Sequence, residues 1–484
     1  MRVRRTGLAA LAAATAVTIG LTGLSQPQAT AAGDSTGSAR DAGRDDRTLM
    51  RYAEDTWASF EAMTFTKTGL PADNIEDDLT RSSRSGYTSP TNIGGYLWSA
   101  VVARDLGIIS RREAHHRMRR TLETLAGLER HEDSGMFYNW YSPATGEKLT
   151  TWPSTGDPVH PFLSSVDNGW LAAALRVVGS ADPALAKRAD ALYDDMDFGF
   201  YYDPDARPDT GFGLIRGGFW DVAPPGCSVQ GNYRDRGADV FYTCHHYGSF
   251  NSEPRIASYI GIAEGQIPPE HYFVPWRTFE PSCDWAWSEQ QATGEHVSYL
   301  GVPVFEGTYS YRGMQIVPTW GGSMFEALMP DLFVPEAQWG RNSWGVNHPL
   351  FVQAQIEHGM KEAGYGYWGF SPASDPFAEY REYGVDAIGM DAAGYTSDRE
   401  RTAVDYGYGD CRPPQPLPES YGDGVVTPHA AFLALPYAKR AAMGNLARIK
   451  RDLGAYGAGG FDDSVAVRSG TVAKRYLSLS LIHI

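Results

Sequence analysis

Apolar residues recur at helical spacing through most of this chain. Leu49, Tyr52, Ala53, Trp57, Phe60 and Met63 lie on one face of a helix predicted over 48–63. The same pattern predicts helices over 89–106, 110–126, 165–178, 183–195, 253–264, 322–332, 349–363, 428–435 and 438–453. Ser89 suits an N-cap, and Pro90 suits the first turn, where a missing N–H costs nothing. Gly127 is a natural stop for the third helix. The helices fall in pairs, with short and long connections alternating, and the long ones hold Trp, Gly and acids. Antiparallel pairs that close on themselves make a mainly α architecture, an (α/α) toroid. Strand-like runs at 136–141 and 296–305 read as hairpins in the loops. No unit recurs at a fixed short period, so a solenoid is not expected.

The N-terminus does not follow this pattern. Arg2, Arg4 and Arg5 precede an apolar run from Leu8 to Leu24, and Ala29-Thr30-Ala31 is an A-x-A cleavage site. Residues 1–31 therefore read as a signal peptide. Residues 32–46, rich in Gly, Ser, Asp and Arg, read as a disordered leader. The expected product is secreted, and 47–478 reads as a single domain without internal linkers. Residues 479–484 read as translated sequencing-adapter sequence, with authentic sequence expected to stop near Leu477 or Ser478 and a terminal helix missing.

The formal charge of −16 argues against nucleic acid or an anionic membrane surface as partner, because both need a basic face. No later run is long and apolar enough to span a bilayer. Cys227, Cys244, Cys283 and Cys411 contain no Cys-x-x-Cys, and an exported chain with four suggests two disulfides. The pairs 227–244 and 283–411 are expected, although sequence leaves three connectivities open.

The candidate chemistry lies at predicted helix starts. Three acids, Asp167, Glu253 and Asp423, each sit beside small or aromatic residues ahead of an apolar helical run. In a helical barrel such acids would face one end, and opposed carboxylates suit glycosidic-bond hydrolysis. Glu253 is the general-acid candidate and Asp423, between Gly422 and Gly424, the general-base candidate. Asp167 could orient sugar hydroxyls. Each also has a structural reading: a first-turn acid for Glu253, a turn Asp for Asp423, an N-cap or first-turn acid for Asp167. Trp140, Trp285, Trp320 and Trp368 could stack on sugar faces; Phe137 to Tyr141 alternates as a strand, so some rings of that run must be core. Arg381 could donate to a hydroxyl or form a buried salt bridge. His131, His245 and His246 lack metal-ligand spacing and read as hydrogen-bonding residues; no metal or cofactor is expected. There is no phosphate loop, Rossmann glycine pattern or Gly-x-Ser-x-Gly elbow.

Several stretches follow one another as in bacterial glucoamylase-like proteins. They include Thr88-Ser89-Pro90-Thr91-Asn92-Ile93-Gly94, Gly135 to Tyr141, Ser164 to Trp170, Ser258 to Ala263, Pro268 to Phe273, Trp320 to Glu326 and Tyr367 to Pro372. The chain resembles that group, which includes the endo-β-1,2-glucanases of glycoside hydrolase family 144, over nearly its whole length from Thr48. The resemblance implies an (α/α)6 barrel and an inverting, endo-acting hydrolase of β-linked glucan. It supports Glu253 as the acid and Asp423 as the cleft carboxylate, with Asp167 nearby, and its motifs add Asn92 and Glu326 as substrate-binding candidates. The chain departs from it at Ser252-Glu253-Pro254-Arg255, where the group often reads Asn-Glu-Ala-Met, and in an apparent insertion from Cys227 to Cys244. The expected partner is a poly- or oligosaccharide, and the expected state a monomer. A non-catalytic glycan-binding protein on the same scaffold, or a polysaccharide lyase, are the alternatives; the acidic charge argues against a cationic lyase cleft.

Overall fold

The structure is a computed structural model that describes residues 35–232, 237–279, 290–378, 380–390 and 421–478. The signal segment 1–31, the tail 479–484, Trp285, Cys283 and Cys411 lie outside these residues. The chain divides into a short unit ending at Asp46 and a large one from Arg47 onward.

Every predicted helix is present. Helix α1 is Ser35–Met63, α2 Pro90–Asp105, α3 Arg111–Leu125, α4 Ser165–Ala181, α5 Ala186–Tyr193 and α6 Arg255–Ala263. Then follow α7 Met324–Leu328, α8 Glu336–Trp339, α9 Trp344–Glu357, α10 Pro428–Leu433 and α11 Leu435–Arg448. Helix α1 starts earlier than expected and takes in 35–46, part of the stretch read as a disordered leader. Once an apolar stripe has nucleated a helix, extending it costs little. Helix α9 also starts early, so that Pro349 lies inside it rather than at its first turn. The short α8 has no periodic signature and was not foreseen.

Side-chain caps fix the starts of α2, α3, α4 and α7. Ser89 and Asn92 form a reciprocal capping box on α2. Ser110, Ser164 and Ser323 each accept the N–H of the third residue of their helix.

Close packing sets neighbouring starts side by side. A Cβ on Gly94 of α2 would stand 3.1 Å from the Trp170 carbonyl of α4, and one on Gly169 of α4 would stand 3.1 Å from Ile256 of α6. The main-chain N–H of Glu253, just before α6, reaches Glu326 on α7. Phe325 on α7 meets the edge of His429 on α10. Helix α1 touches both α10 and α2, through Tyr52 against Phe432 and Trp57 stacked on Tyr96. Among the described residues no helix is long and apolar enough to cross a membrane.

Strands are more numerous than expected. The hairpin predicted at 296–305 is Thr293–Tyr299 paired with Val302–Tyr311. The run 136–141 forms isolated bridges only, with Phe137 to Arg130, Asn139 to Phe162 and Tyr141 to Thr88. Two sheets that periodicity did not reveal are built from strands between α5 and α6, one of them joined by a strand ahead of α4. One sets Phe162–Ser164 beside Gly218–Trp220, Val240–Thr243 and Ser228–Gly231 in that order. Its outer pair is closed by the Cys227–Cys244 disulfide, the first of the two expected.

Candidate active site

Two acids from distant parts of the chain meet at the starts of α6 and α7. Glu253 is fully buried, and Glu326, in the first turn of α7, is 3% exposed. The Glu253 N–H donates to Glu326 Oε2 at 2.6 Å. Glu253 Oε1 in turn accepts from the indole Nε1–H of Trp170 on α4. Trp170 is buried against Trp98 and Phe333, so its N–H is held in one direction. Asp167 lies one turn before Trp170 and is 3% exposed. Its N–H is capped by Ser164 Oγ at 3.1 Å, while its buried Oδ1 has no hydrogen-bond partner among the described residues. Asn168 beside it bonds both the N–H and the carbonyl of Phe137, tying the 136–141 segment to the start of α4.

Beneath the acid pair lies a buried ion pair. The Arg255 guanidinium bonds Glu336 twice, from Nε at 2.6 Å and Nη2 at 2.9 Å. Glu336 also accepts from Tyr259 at 2.5 Å and meets His348 Nε2 at 3.0 Å. Burial pushes the Glu336 carboxyl up, but the charge and hydrogen bonds of Arg255, with help from His348, bring it down to about 2. Asp331, Glu336 and His348 lie close enough to hold a metal ion in geometric terms. Both Glu336 oxygens are already engaged by Arg255, Tyr259 and His348, so the cluster fits an ion-pair network better than a cation site.

Asp423 has a different setting. It precedes α10 and is partly exposed. Its Oδ1 accepts the N–H of Arg468 at 2.7 Å and that of Ser469 at 3.2 Å. The carboxylate thus caps the turn at 467–469, which is distant in sequence, and Asp423 itself lies in no turn. No described hydrogen bond joins it to Glu253, which is fully buried.

The other candidates separate. Asn92 is buried and its Oδ1 accepts the Ser89 N–H at 2.8 Å, leaving Nδ2 without a partner among the described residues. Trp320 is half-buried. Trp140 and Trp368 are 2% and 1% exposed, and neither presents a face to a sugar. Trp140 packs edge-on to Tyr87 and against Trp152. The Trp368 backbone is bonded on both sides by Asn445. Counting rings cannot show which side of a strand is core. Arg381 donates to buried Asp375 at 2.6 Å, but its own side chain is exposed, so the salt bridge is not the buried one expected. His131 and His246 are hydrogen-bonded as expected, to Ser134 and Asp203. Sequence reasoning missed Trp170, Arg255 and Glu336. Trp170 was visible three residues after Asp167, one helical turn along the same face, whereas the Arg255–Glu336 pairing joins residues too far apart for any pattern.

Two family models match the sequence. Residues 51–200 match one described as "Protein of unknown function (DUF3131)", and residues 246–481 match one described as "Putative glucoamylase". Among curated proteins, the cyclic beta-(1,2)-glucan synthase NdvB of Rhizobium meliloti (strain 1021) is 24% identical over 547 residues. That alignment covers 86% of this chain but only 16% of NdvB, so the chain spans a small part of that relative's length. Among solved structures, a glucoamylase-type protein from Bacteroides uniformis ATCC 8492 superposes with a TM-score of 0.59 at 14% identity, covering 90% of this chain and 88% of that one. An endo-beta-1,2-glucanase from Chitinophaga pinensis, solved with sophorotriose and glucose, gives 0.57 at 14% identity, covering 90% and 89%. At these identities the shared property is the fold. Residues 246–481 thus match the glucoamylase family model, and across nine-tenths of its length the chain shares the helical fold of glucoamylase-like and β-1,2-glucanase structures.

Proposed function

We propose that this chain is an exported glycoside hydrolase that cleaves β-linked glucan internally, with Glu253 as general acid. The observation that carries the reading is that two buried acids, Glu253 and Glu326, stand at adjoining helix starts, the Glu253 main-chain N–H donating to the Glu326 carboxylate. A general acid works best from a desolvated site beside a second carboxylate, and glycoside hydrolysis calls for two such groups. The fold shared with a β-1,2-glucanase points to β-1,2-linked glucan. On this reading the starts of α2, α4, α6, α7 and α10 form one rim of an (α/α)6 toroid, and the orphaned polar atoms of Asn92 and Asp167 lie at the same helix starts. Export is supported by the leader pattern and by the disulfide. Glu253 is sealed in this structure, so the packing over it opens when sugar enters.

In the inverting form of the mechanism, Glu253 protonates the leaving oxygen and Asp423 activates water on the other side of the sugar. A second reading gives Glu326 the role of second carboxylate, acting as nucleophile with retention. It is favoured by the hydrogen bond from the Glu253 main-chain N–H to the Glu326 carboxylate; no described hydrogen bond joins Asp423 to Glu253.

Incubation with linear β-1,2-, β-1,3- and β-1,4-glucans tests both. Wild-type protein should release oligosaccharides from the β-1,2-glucan, and Glu253→Gln should lower kcat by about 10³-fold. Turnover that survives Glu253→Gln unchanged removes Glu253 from the mechanism. Binding without turnover of any glucan favours a glycan-binding protein instead. The anomer first formed, read by proton NMR, separates Asp423 (inverted) from Glu326 (retained).

A further inference from the structure

The guanidinium of Arg255 has five N–H donors, and every one is used. Two meet Glu336, as described above. The other three leave the ion pair and bond main-chain carbonyls: Nη1 to Ser252 O and Glu326 O, and Nη2 to Ala327 O, each at 2.7 Å. Ser252 is the residue before Glu253. Glu326 is the second acid itself, and Ala327 follows it. One side chain therefore joins the two backbone segments that present the two acids.

Its own position is fixed from several sides. Arg255 is 7% exposed and Glu336 1%. The guanidinium lies 4.7 Å from the ring of Trp344, which stacks on Phe250 and His348. Trp344 Nε1 bonds the Tyr272 hydroxyl at 2.9 Å. A buried ion pair adds little stability over an apolar pair of the same shape, because desolvation offsets the attraction. What an apolar pair cannot supply is three directed bonds to two separate backbone segments, the approach to α6 and the first turns of α7.

We infer that Arg255, held by Glu336, is a positioning residue that sets the spacing between Glu253 and Glu326. The inference rests on the reading of Glu253 as general acid for its kinetic consequence, but its structural content can be measured without substrate. The Trp170 indole N–H is bonded to the Glu253 carboxylate, so its proton–nitrogen NMR resonance reports where that carboxylate sits. The resonance is assigned by its loss in Trp170→Phe.

The test compares wild type with Arg255→Lys and with the double variant Arg255→Met, Glu336→Leu. The double variant leaves no unpaired buried charge. It should unfold cooperatively at a Tm below wild type, because buried carbonyls, the Tyr259 hydroxyl and His348 lose partners, with the Trp170 indole resonance displaced. Its kcat on β-1,2-glucan should fall about 100-fold, with KM within about twofold, as a displaced catalytic group predicts. Arg255→Lys keeps the charge on Glu336 with three donors rather than five, and should recover about tenfold of that loss. A stable double variant with an unmoved resonance and kcat within about twofold of wild type overturns the inference. If the double variant does not fold, the resonance decides in Arg255→Lys: displacement supports the role, and an unmoved signal overturns it. If wild-type protein turns over no glucan, the functional proposal fails, and the resonance alone decides the positioning role.

Discussion

At Asp423 a single carboxylate is offered two roles that use the same ionised group. It closes a turn by accepting the N–H groups of Arg468 and Ser469, and it is the proposed base. Asparagine separates them, because its Oδ1 can still accept both N–H groups but cannot take a proton from water. If Asp423 only closes the turn, Asp423→Asn should cost about 1 kcal/mol or less, and kcat should stay near wild type. If it is the base, kcat should fall by about 10²-fold or more with Tm nearly unchanged. Thermal melts and initial rates on β-1,2-glucan, taken together, make the distinction. We expect the larger kinetic loss; unchanged kcat would move the second-carboxylate role to Glu326. Glu253 was legible beforehand, since an acid just ahead of an apolar run marks a helix start. Its surroundings were not, because Trp170 and Glu326 reach it from 83 and 73 residues away, and period and propensity carry no information over that span.

At the scale of elements, legibility followed length and capping. Helix α2 was readable to its first residue because Ser89 and Pro90 mark the cap and first turn. The strands between α5 and α6 were not, because runs of three to six residues, such as Gly218–Trp220 and Tyr202–Arg207, are too short for alternation to register. The sheet that includes Phe162–Ser164 matters to the site, since that strand runs straight into the Ser164 cap of α4 and so towards Asp167 and Trp170. Its far edge is pinned by Cys227–Cys244, whose cysteines are 17 residues apart in sequence. Loop-closure entropy for such a loop is worth about 3 kcal/mol, as an upper figure if the unfolded segment keeps some structure. Replacing both cysteines by serine should therefore lower Tm and speed proteolytic cleavage within 227–244, while kcat falls less than about threefold if the sheet's inner strands hold. Cleavage no faster than wild type would mean that the hydrogen-bonded pairing of Ser228–Gly231 with Val240–Thr243 suffices by itself.

Across the whole of the large unit, residues near its two ends are paired. Asn74–Glu76 runs antiparallel to Arg475–Leu477, and Ser478 donates to the carbonyls of Asp73 and Ala72. Acids gather along this seam. Asp462 is 4% exposed, with an Oδ1 that has no partner among the described residues. Burial, with the charges of Asp77 and Asp463, pushes its carboxyl up to about 7. Burial likewise lifts Asp463 to about 6, against the hydrogen bonds from Ser374 that pull it down. An acid whose folded pKa lies above its unfolded value, near 3.8, holds its proton more tightly when folded. Its stabilising contribution is complete below about pH 3.8 and is lost as pH rises through 6 to 7, then stays level. Buried His271 and His429, held neutral down to about 4, act in the opposite sense, costing stability as pH falls from 6.5. A wild-type melting curve therefore mixes the two effects, and a difference between proteins isolates one. Asparagine at 462 mimics the protonated acid at every pH. The Tm of Asp462→Asn minus that of wild type should accordingly be near zero at pH 4, grow through pH 6, and level off by pH 8. A difference that stays constant across that range would show that Asp462 is ionised in the folded protein throughout, and that the seam does not sense pH.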